Sequence, residues 1–146
     1  MSGIVLLLNG PNLNLLGDRQ PEIYGRERLE DLVAAARAEA EAHGLALEHL
    51  QSNHEGELID AIHGARGRCA AIIINAGAFT HYAWAIQDAL KAFEGPVVEL
   101  HISNPHAREP WRHTSVIAPV ATASICGLGG AGYPLADAAV ARLLER

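Results

Sequence analysis

Four short apolar runs, separated by polar or amphipathic segments, constrain the fold of this chain more than any other feature. They cover residues 4–8, 69–74, 96–101 and 121–125. Runs of this length with little polar alternation are typical of strands that are buried on both faces of a parallel sheet. A fifth strand, with alternating side chains, is predicted over residues 45–51.

Helical periodicity fills the segments between these strands. Leu29, Leu32, Val33 and Ala36 recur at helical spacing, and Gly44 marks the end of that helix near residue 43. A short helix is predicted over 57–63, with Ser52 and Asn53 as candidate caps. Another helix, with Thr80 as its candidate cap, is predicted to end near residue 93, and a last one covers 134–144. Strands that alternate with helices predict a doubly wound, five-stranded parallel α/β sheet with helices on both faces. No linker or repeat interrupts the 146 residues, so one domain is expected over 1–146.

The charge and cysteine content limit the possible partners. The net charge of -6 argues against nucleic acid or an anionic membrane as the main partner. Ten of the eleven basic residues are arginine, and three of them, Arg19, Arg108 and Arg112, fall in connecting segments, which favours a small anionic ligand. No CxxC or Cys/His cluster predicts a metal site, and no signal region or 18-residue apolar run is present. We therefore expect a cytoplasmic protein without a metal.

The first strand leads into an unusually long connection, residues 9–25. Loops beyond about 12–15 residues are uncommon in compact domains unless they are functional. This loop contains leucines that should fold back onto the body, together with Asn12, Arg19 and Tyr24. A guanidinium beside a phenol favours the phenolate. The sequence predicts a lid that carries a base, Tyr24, with an activating cation, Arg19; a packed loop aromatic is the alternative.

Polar residues also follow the other strands, and ligands of open parallel sheets bind at the carboxyl ends of the strands. Glu99 and His101 are two apart and share a face of their strand. The carboxylate can fix the tautomer of the imidazole and favour its charged form, which makes His101 a candidate proton donor. A purely structural pair is the alternative. Asn75 and His81 are candidate hydrogen-bonding residues for a polyol, or else caps.

Nucleotide binding, a receiver-domain role and Schiff-base chemistry fit these features less well. Residues 127–132, GLGGAG, fit a dinucleotide fingerprint, but only fourteen residues follow them, too few for a complete βαβ unit. A flavodoxin-like nucleotide-binding module remains the alternative function. A phospho-accepting receiver domain lacks its acidic cluster after the first strand. The sole lysine, Lys91, lies on a helix, which disfavours Schiff-base chemistry.

Four sequence blocks together resemble one enzyme family closely. They are NGPNLNLLG at 9–17 followed by Arg19 and Tyr24, QSNHEGELID at 51–60, NAGAFTH at 75–81 and ELHISN at 99–104. In order and spacing they resemble type II 3-dehydroquinate dehydratases. The resemblance implies a flavodoxin-like fold and a hydro-lyase without a cofactor. That enzyme would catalyse the reversible anti elimination of water from 3-dehydroquinate, through an enolate, to give 3-dehydroshikimate in the shikimate pathway of aromatic amino acid biosynthesis.

The resemblance also implies a role for each matching residue. Tyr24 would be the base and Arg19 would hold it as phenolate, while Asn12 would place a water that stabilises the enolate. His101, oriented by Glu99, would protonate the departing hydroxyl. The implied substrate-binding residues are Asn75, His81, Ile102, Ser103 and Arg112, with Arg108 supporting the lid.

Family members are usually homododecamers, tetramers of trimers, in which the residue matching Asp88 reaches a neighbouring site. Here Asp88 is expected to lie away from the apolar stripe of its helix, next to a small apolar outer face that includes Tyr82 and Ala89. Such a face favours burial against another chain. Many family members have proline at the position of Ala76, so this chain departs from the pattern there.

Overall fold

A five-stranded, all-parallel sheet forms the centre of the computed structural model, which describes residues 3–146. The strands are β1 (Ile4–Asn9), β2 (Ala46–Gln51), β3 (Ala71–Asn75), β4 (Val97–His101) and β5 (Ala123–Cys126). Their order is β2-β1-β3-β4-β5. This is the strand order of flavodoxin-like doubly wound folds, and it confirms the predicted fold class.

Helices cover both faces of the sheet. They are α1 (Pro21–Tyr24), α2 (Leu29–Ala42), α3 (Glu55–Ala65), α4 (Trp84–Lys91) and α5 (Gly132–Leu144). Alternate side chains of β1 point to opposite faces: Val5 and Leu7 pack with α2 and α5, and Leu6 and Leu8 pack with α3 and α4. Burying one such side chain contributes about 1.5–3 kcal/mol. None of the helices within residues 3–146 is long and apolar enough to cross a membrane.

The glycine-rich segment before α5 packs against the sheet. A Cβ atom added to Gly132 would come within 2.9 Å of Leu100 Cδ1, so a glycine lets the helix approach β4 closely. The helix begins at Gly132, two residues earlier than predicted, and Pro134 lies within its first turn. In the described part of the chain β5 is an edge strand and no strand follows it. Gly132 therefore has a packing role, and the nucleotide-binding alternative is not favoured.

The long connection after β1 is partly ordered by short elements. A 3-10 turn spans Leu13–Leu15, and one helical turn, α1, ends at Tyr24. Leu13 and Leu16 are buried in the core formed by α2 and α5. The expectation that part of this loop folds back onto the body is thus confirmed.

Local expectations failed at three positions. Thr80 does not cap α4, which begins after Ala83; its side chain is buried and bonded to the sheet. Ala89 does not lie on the outer face of α4 but packs in the core. Asn53 does not cap α3: the N-cap position, just before Glu55, is taken by His54, which makes no side-chain cap bond. Ala76 stands where many members of the resembled family have proline. Its φ of -76° is one that both alanine and proline adopt, so the alanine causes no backbone strain.

Candidate active site

A cleft opens at the carboxyl ends of β1, β3 and β4. The loop after β1 forms one wall, and the segment after β4 forms the other. Every predicted site residue lines it except Glu99 and Asp88. The lining residues predicted from the sequence are Asn12, Arg19, Tyr24, Asn75, His81, His101, Ile102, Ser103 and Arg112, and Arg108 joins them.

Tyr24 lies between two arginines. The Nη1 of Arg108 donates a hydrogen bond of 2.9 Å to the phenol oxygen, and the same atom lies 3.2 Å from Ser103 Oγ. The Cζ of Arg19 lies 4.8 Å from the centre of the ring, and that of Arg108 lies 5.2 Å from it. The sequence assigned the activating cation to Arg19 alone. In the structure the direct hydrogen bond comes from Arg108, while Arg19 stacks on the ring.

His101 and Glu99 form a buried pair at the end of β4. The Nε2 of His101 lies 2.7 Å from Glu99 Oε2, and both side chains are almost fully buried. Because a carboxylate only accepts hydrogen bonds, Nε2 carries a hydrogen. The other ring nitrogen, Nδ1, makes no hydrogen bond within residues 3–146. The pair predicted from two-residue spacing is therefore present, with one nitrogen left for a ligand.

Hydroxyl groups from separate segments hold the Glu99 carboxylate. Ser115 Oγ donates to Oε2 at 2.7 Å and Thr80 Oγ1 donates to the same atom at 3.1 Å. Burial alone would raise the pKa of Glu99. The hydrogen bond and charge of His101, together with these hydroxyls, outweigh burial and hold that pKa below its usual value. The carboxylate thus stays charged beside the imidazole.

His81 offers a neutral imidazole to the cleft. Its Nδ1 lies 2.8 Å from the carbonyl oxygen of Thr114, which can only accept, so Nδ1 carries the hydrogen. Burial lowers the pKa of His81, and the nearby charges of His101 and Arg112 lower it further, against the raising effect of the Thr114 bond. Neutral His81 therefore keeps Nε2 as a hydrogen-bond acceptor.

Arg112 is positioned by its neighbours in the segment after β4. Its Nε donates to Glu109 Oε2 at 3.1 Å, and its guanidinium stacks on Trp111 with Cζ 4.0 Å from the ring centre. The terminal nitrogens make no hydrogen bond within residues 3–146. They remain available for an anionic group, as a guanidinium suits a carboxylate.

Asn12 is oriented by a residue that the sequence had assigned to capping. The backbone of Asn12 is left-handed, with φ of 69°. Its N–H donates to Asn53 Oδ1 at 3.0 Å, and Gln51 Nε2 lies 3.3 Å from the same oxygen. Asn53 therefore supports a residue of the cleft from the end of β2. The only sequence signal for this role was its place at a strand end.

Asp88 lies outside the cleft of its own chain. Its side chain is exposed on α4, and its nearest ionic partner is Lys91, with Nζ 3.9 Å from Oδ1. Lys91 itself lies at the end of α4, away from the cleft. Within residues 3–146 no group of three or more His, Cys, Asp or Glu side chains could hold a metal ion. Independence from a cofactor stays a prediction.

Comparisons with known proteins agree with this geometry. The family model described as "Dehydroquinase class II" matches residues 3–141. The chain is 56% identical over 145 residues to 3-dehydroquinate dehydratase 2 of Pseudomonas putida, covering 99% of this chain and 97% of that protein. It is 58% identical over 143 residues to the 3-dehydroquinate dehydratase of Corynebacterium glutamicum, covering 98% and 99%.

A solved structure shares the whole architecture. The crystal structure of type II dehydroquinase from Propionibacterium acnes matches with a TM-score of 0.90 at 42% identity. The match covers 97% of this chain and 98% of that one. Sequence and structure thus support the resemblance that four sequence blocks had indicated. The chain belongs to the class II dehydroquinase family.

Proposed function

We propose that this protein is a type II 3-dehydroquinate dehydratase. It removes water reversibly from 3-dehydroquinate, by anti elimination through an enolate, to give 3-dehydroshikimate. One observation carries the proposal: a phenol held by two guanidinium groups and an imidazole held by a carboxylate line the same cleft. A dehydration next to a ketone needs one base and one acid, and these pairs supply them.

Tyr24 is the base of the first step. The positive charges of Arg108 and Arg19 stabilise a phenolate, and its oxygen removes a proton from the carbon next to the ketone. The electrons of the broken C–H bond form the enolate. Asn12 places a water that donates a hydrogen bond to the enolate oxygen, and Asn53 holds the backbone of Asn12 for that task.

His101 is the acid of the second step. Glu99 holds Nε2 and stabilises the imidazolium, so Nδ1–H is the free donor. As the C–O bond breaks, the departing hydroxyl takes this proton and leaves as water. The enolate electrons form the new C=C bond and the ketone is restored. Return of a proton from Tyr24 to His101 through solvent prepares the next turnover.

The remaining residues of the cleft bind the substrate. Arg112 binds its carboxylate through the free terminal nitrogens, and neutral His81 accepts a hydrogen bond from a ring hydroxyl. Asn75 and Ser103 add polar contacts, and Ile102 supplies an apolar surface for the ring.

The proposal includes a homododecamer made of four trimers, with Asp88 reaching the cleft of a neighbouring chain. Large aromatic side chains support an interface near α4: Tyr82 is 57% exposed and Trp84 is 63% exposed. Sedimentation velocity should give a particle of twelve times the 15.5 kDa chain. A monomer would contradict this part. A cytoplasmic location completes the proposal, and Cys69 and Cys126 are both free thiols, which fits such a location.

The test of the activity is direct. Purified protein given 3-dehydroquinate should develop the ultraviolet absorbance of a conjugated enone. Tyr24→Phe should lose at least about a hundredfold in kcat, because general base catalysis contributes about 10²–10⁴. Tyr82→Phe is the matched control and should keep full activity, since Tyr82 lies outside the cleft and phenylalanine keeps the aromatic ring at the proposed interface.

Two outcomes would contradict the proposal. No absorbance change with intact substrate would exclude the dehydratase, and substantial activity of Tyr24→Phe would remove Tyr24 as the base. Borohydride added with substrate should leave the enzyme active. Inactivation would instead indicate a Schiff base on Lys91.

A further inference from the structure

A buried chain of hydrogen bonds runs directly beneath the cleft. Tyr133, near the start of α5, is fully buried. Its hydroxyl donates to Asn9 Oδ1 at 2.6 Å and lies 3.0 Å from Asn75 Nδ2. Asn9 and Asn75 are the last residues of β1 and β3 and are register partners in the sheet. One phenol therefore joins the carboxyl ends of two central strands.

The donor and the acceptor of each of these hydrogen bonds can be assigned, starting from Asn75 at the cleft. The backbone N–H of Gly77 can only donate, so the Asn75 atom 3.2 Å away from it is the carbonyl oxygen, Oδ1. The amide nitrogen of Asn75 then faces Tyr133, whose oxygen must accept. Tyr133 is left with one hydrogen, which it donates to Asn9.

The hydrogen bond at the other end of this series, between Asn9 and His49, agrees with these donor and acceptor assignments. Asn9 Nδ2 lies 3.0 Å from His49 Nε2, which must therefore accept. Burial lowers the pKa of His49, and the charge of Arg37 lowers it further, so the ring is neutral and can accept. Burial also raises the pKa of Tyr133, against the lowering effect of the Asn75 bond, and the phenol keeps its hydrogen. Each side chain thus makes the bond that its neighbour requires.

We propose that Tyr133 is a positioning residue that, together with the Gly77 N–H, holds the Asn75 amide in one orientation. An asparagine amide can rotate by half a turn at almost no steric cost, which would exchange the donor and the acceptor that it presents. A lone hydroxyl would accept either orientation. Because Tyr133 has committed its hydrogen to Asn9, it accepts only the NH₂ group of Asn75.

The consequence for the cleft is a defined donor. The Asn75 NH₂ group has two hydrogens, and Tyr133 takes one of them. The second is left for an acceptor oxygen of the substrate, since Asn75 lines the cleft. This role rests on the proposed function, in which Asn75 contacts the substrate. It concerns binding, so KM should respond more than kcat.

The test is a double-mutant cycle on kcat/KM with 3-dehydroquinate. Tyr133→Phe removes the hydroxyl and keeps the ring, and should raise KM about three- to tenfold, the usual effect of one lost hydrogen bond. If Tyr133 acts through Asn75, the same change in an Asn75→Ala background should have no further effect. If the effects of the two changes on kcat/KM instead multiply in the double variant, Tyr133 has a general structural role and the proposal is overturned. An unchanged KM would also overturn it.

A second variant, Asn9→Ala, tests the same role if Tyr133→Phe folds poorly. Asn9→Ala keeps both Tyr133 and Asn75 but removes the acceptor that commits the phenol. It should raise KM in the otherwise unchanged enzyme and not in the Asn75→Ala background; equal effects in both backgrounds would refute the positioning role. Thermal melting of each variant checks folding. Wild-type protein without turnover would overturn the proposed function and this inference together, whereas an active wild type with multiplying effects would overturn the inference alone.

Discussion

Asp137 is a buried carboxylic acid that no neighbour satisfies. It lies in α5, which packs against α2, and it is fully buried. Neither carboxyl oxygen has a hydrogen-bond partner within residues 3–146. Burial, together with the negative charge of Glu39 on α2, raises the pKa of Asp137 from 3.8 to about 7. A buried carboxyl of this kind makes the fold sensitive to pH.

The size of the effect follows from linkage. The pKa in the folded state lies above that in the unfolded state, so the folded state holds its proton longer. The contribution of protonated Asp137 to the free energy of unfolding is fully present below pH 3.8. It is lost as the pH rises to about 7, because the buried carboxyl then gives up its proton. Each pKa unit corresponds to about 1.4 kcal/mol, so this site costs the folded state about 4 kcal/mol above pH 7. At about 3 °C per kcal/mol for a chain of this size, the change in Tm is about 10 °C.

Asp137→Asn removes the titration and preserves the shape of the side chain. The Tm of this variant should exceed that of the wild type by about 10 °C more at pH 8 than at pH 4, measured by calorimetry at one protein concentration. Asp60→Asn is the matched control, because Asp60 is exposed on α3. An equal difference between Asp137→Asn and wild type at both pH values would refute the reasoning.

Two further changes test the acid pair and the strand ends. Glu99→Gln should lower kcat about a hundredfold or more, because an amide does not stabilise the His101 imidazolium, with little change in KM; a normal kcat would remove Glu99 from the proton transfer. Gly10→Ala should lower the free energy of unfolding by about 1–3 kcal/mol, since the added methyl group would collide with the backbone of Ala76. Denaturant titration measures that loss, and an unchanged midpoint would contradict the close approach of β1 and β3.

The pairing of Glu99 with His101 could be predicted from the sequence because it depends on periodicity alone. Residues two apart in a strand share a face, and β4 ends at His101. The sheet itself was predictable for a similar reason, since apolar runs and helical spacing repeat regularly. The strand ends then placed Asn75 correctly at the cleft.

Contacts between loops were beyond such reasoning. The hydrogen bond between Arg108 and Tyr24 joins residues 84 positions apart, in the long connections that follow β4 and β1. Thr80 shows a related failure. Threonine near a predicted helix start favours capping, yet this hydroxyl bonds the Glu99 carboxylate on β4 instead. A buried charge needs such partners, and local patterns do not show which segments supply them.

The proposed acid and the proposed base differ in how firmly the structure holds them. The proposed acid, His101, lies at the end of a buried strand, and its carboxylate partner accepts hydrogen bonds from hydroxyls of two other segments. The proposed base, Tyr24, ends a single helical turn in a loop, and the hydrogen bond to its oxygen comes from Arg108, in the segment after β4. Withdrawal of the loop would break this bond and separate Tyr24 from its nearest cation at the same time. In the proposed mechanism, closing the loop and activating the base are therefore one event, whereas the proposed acid is in place in either state.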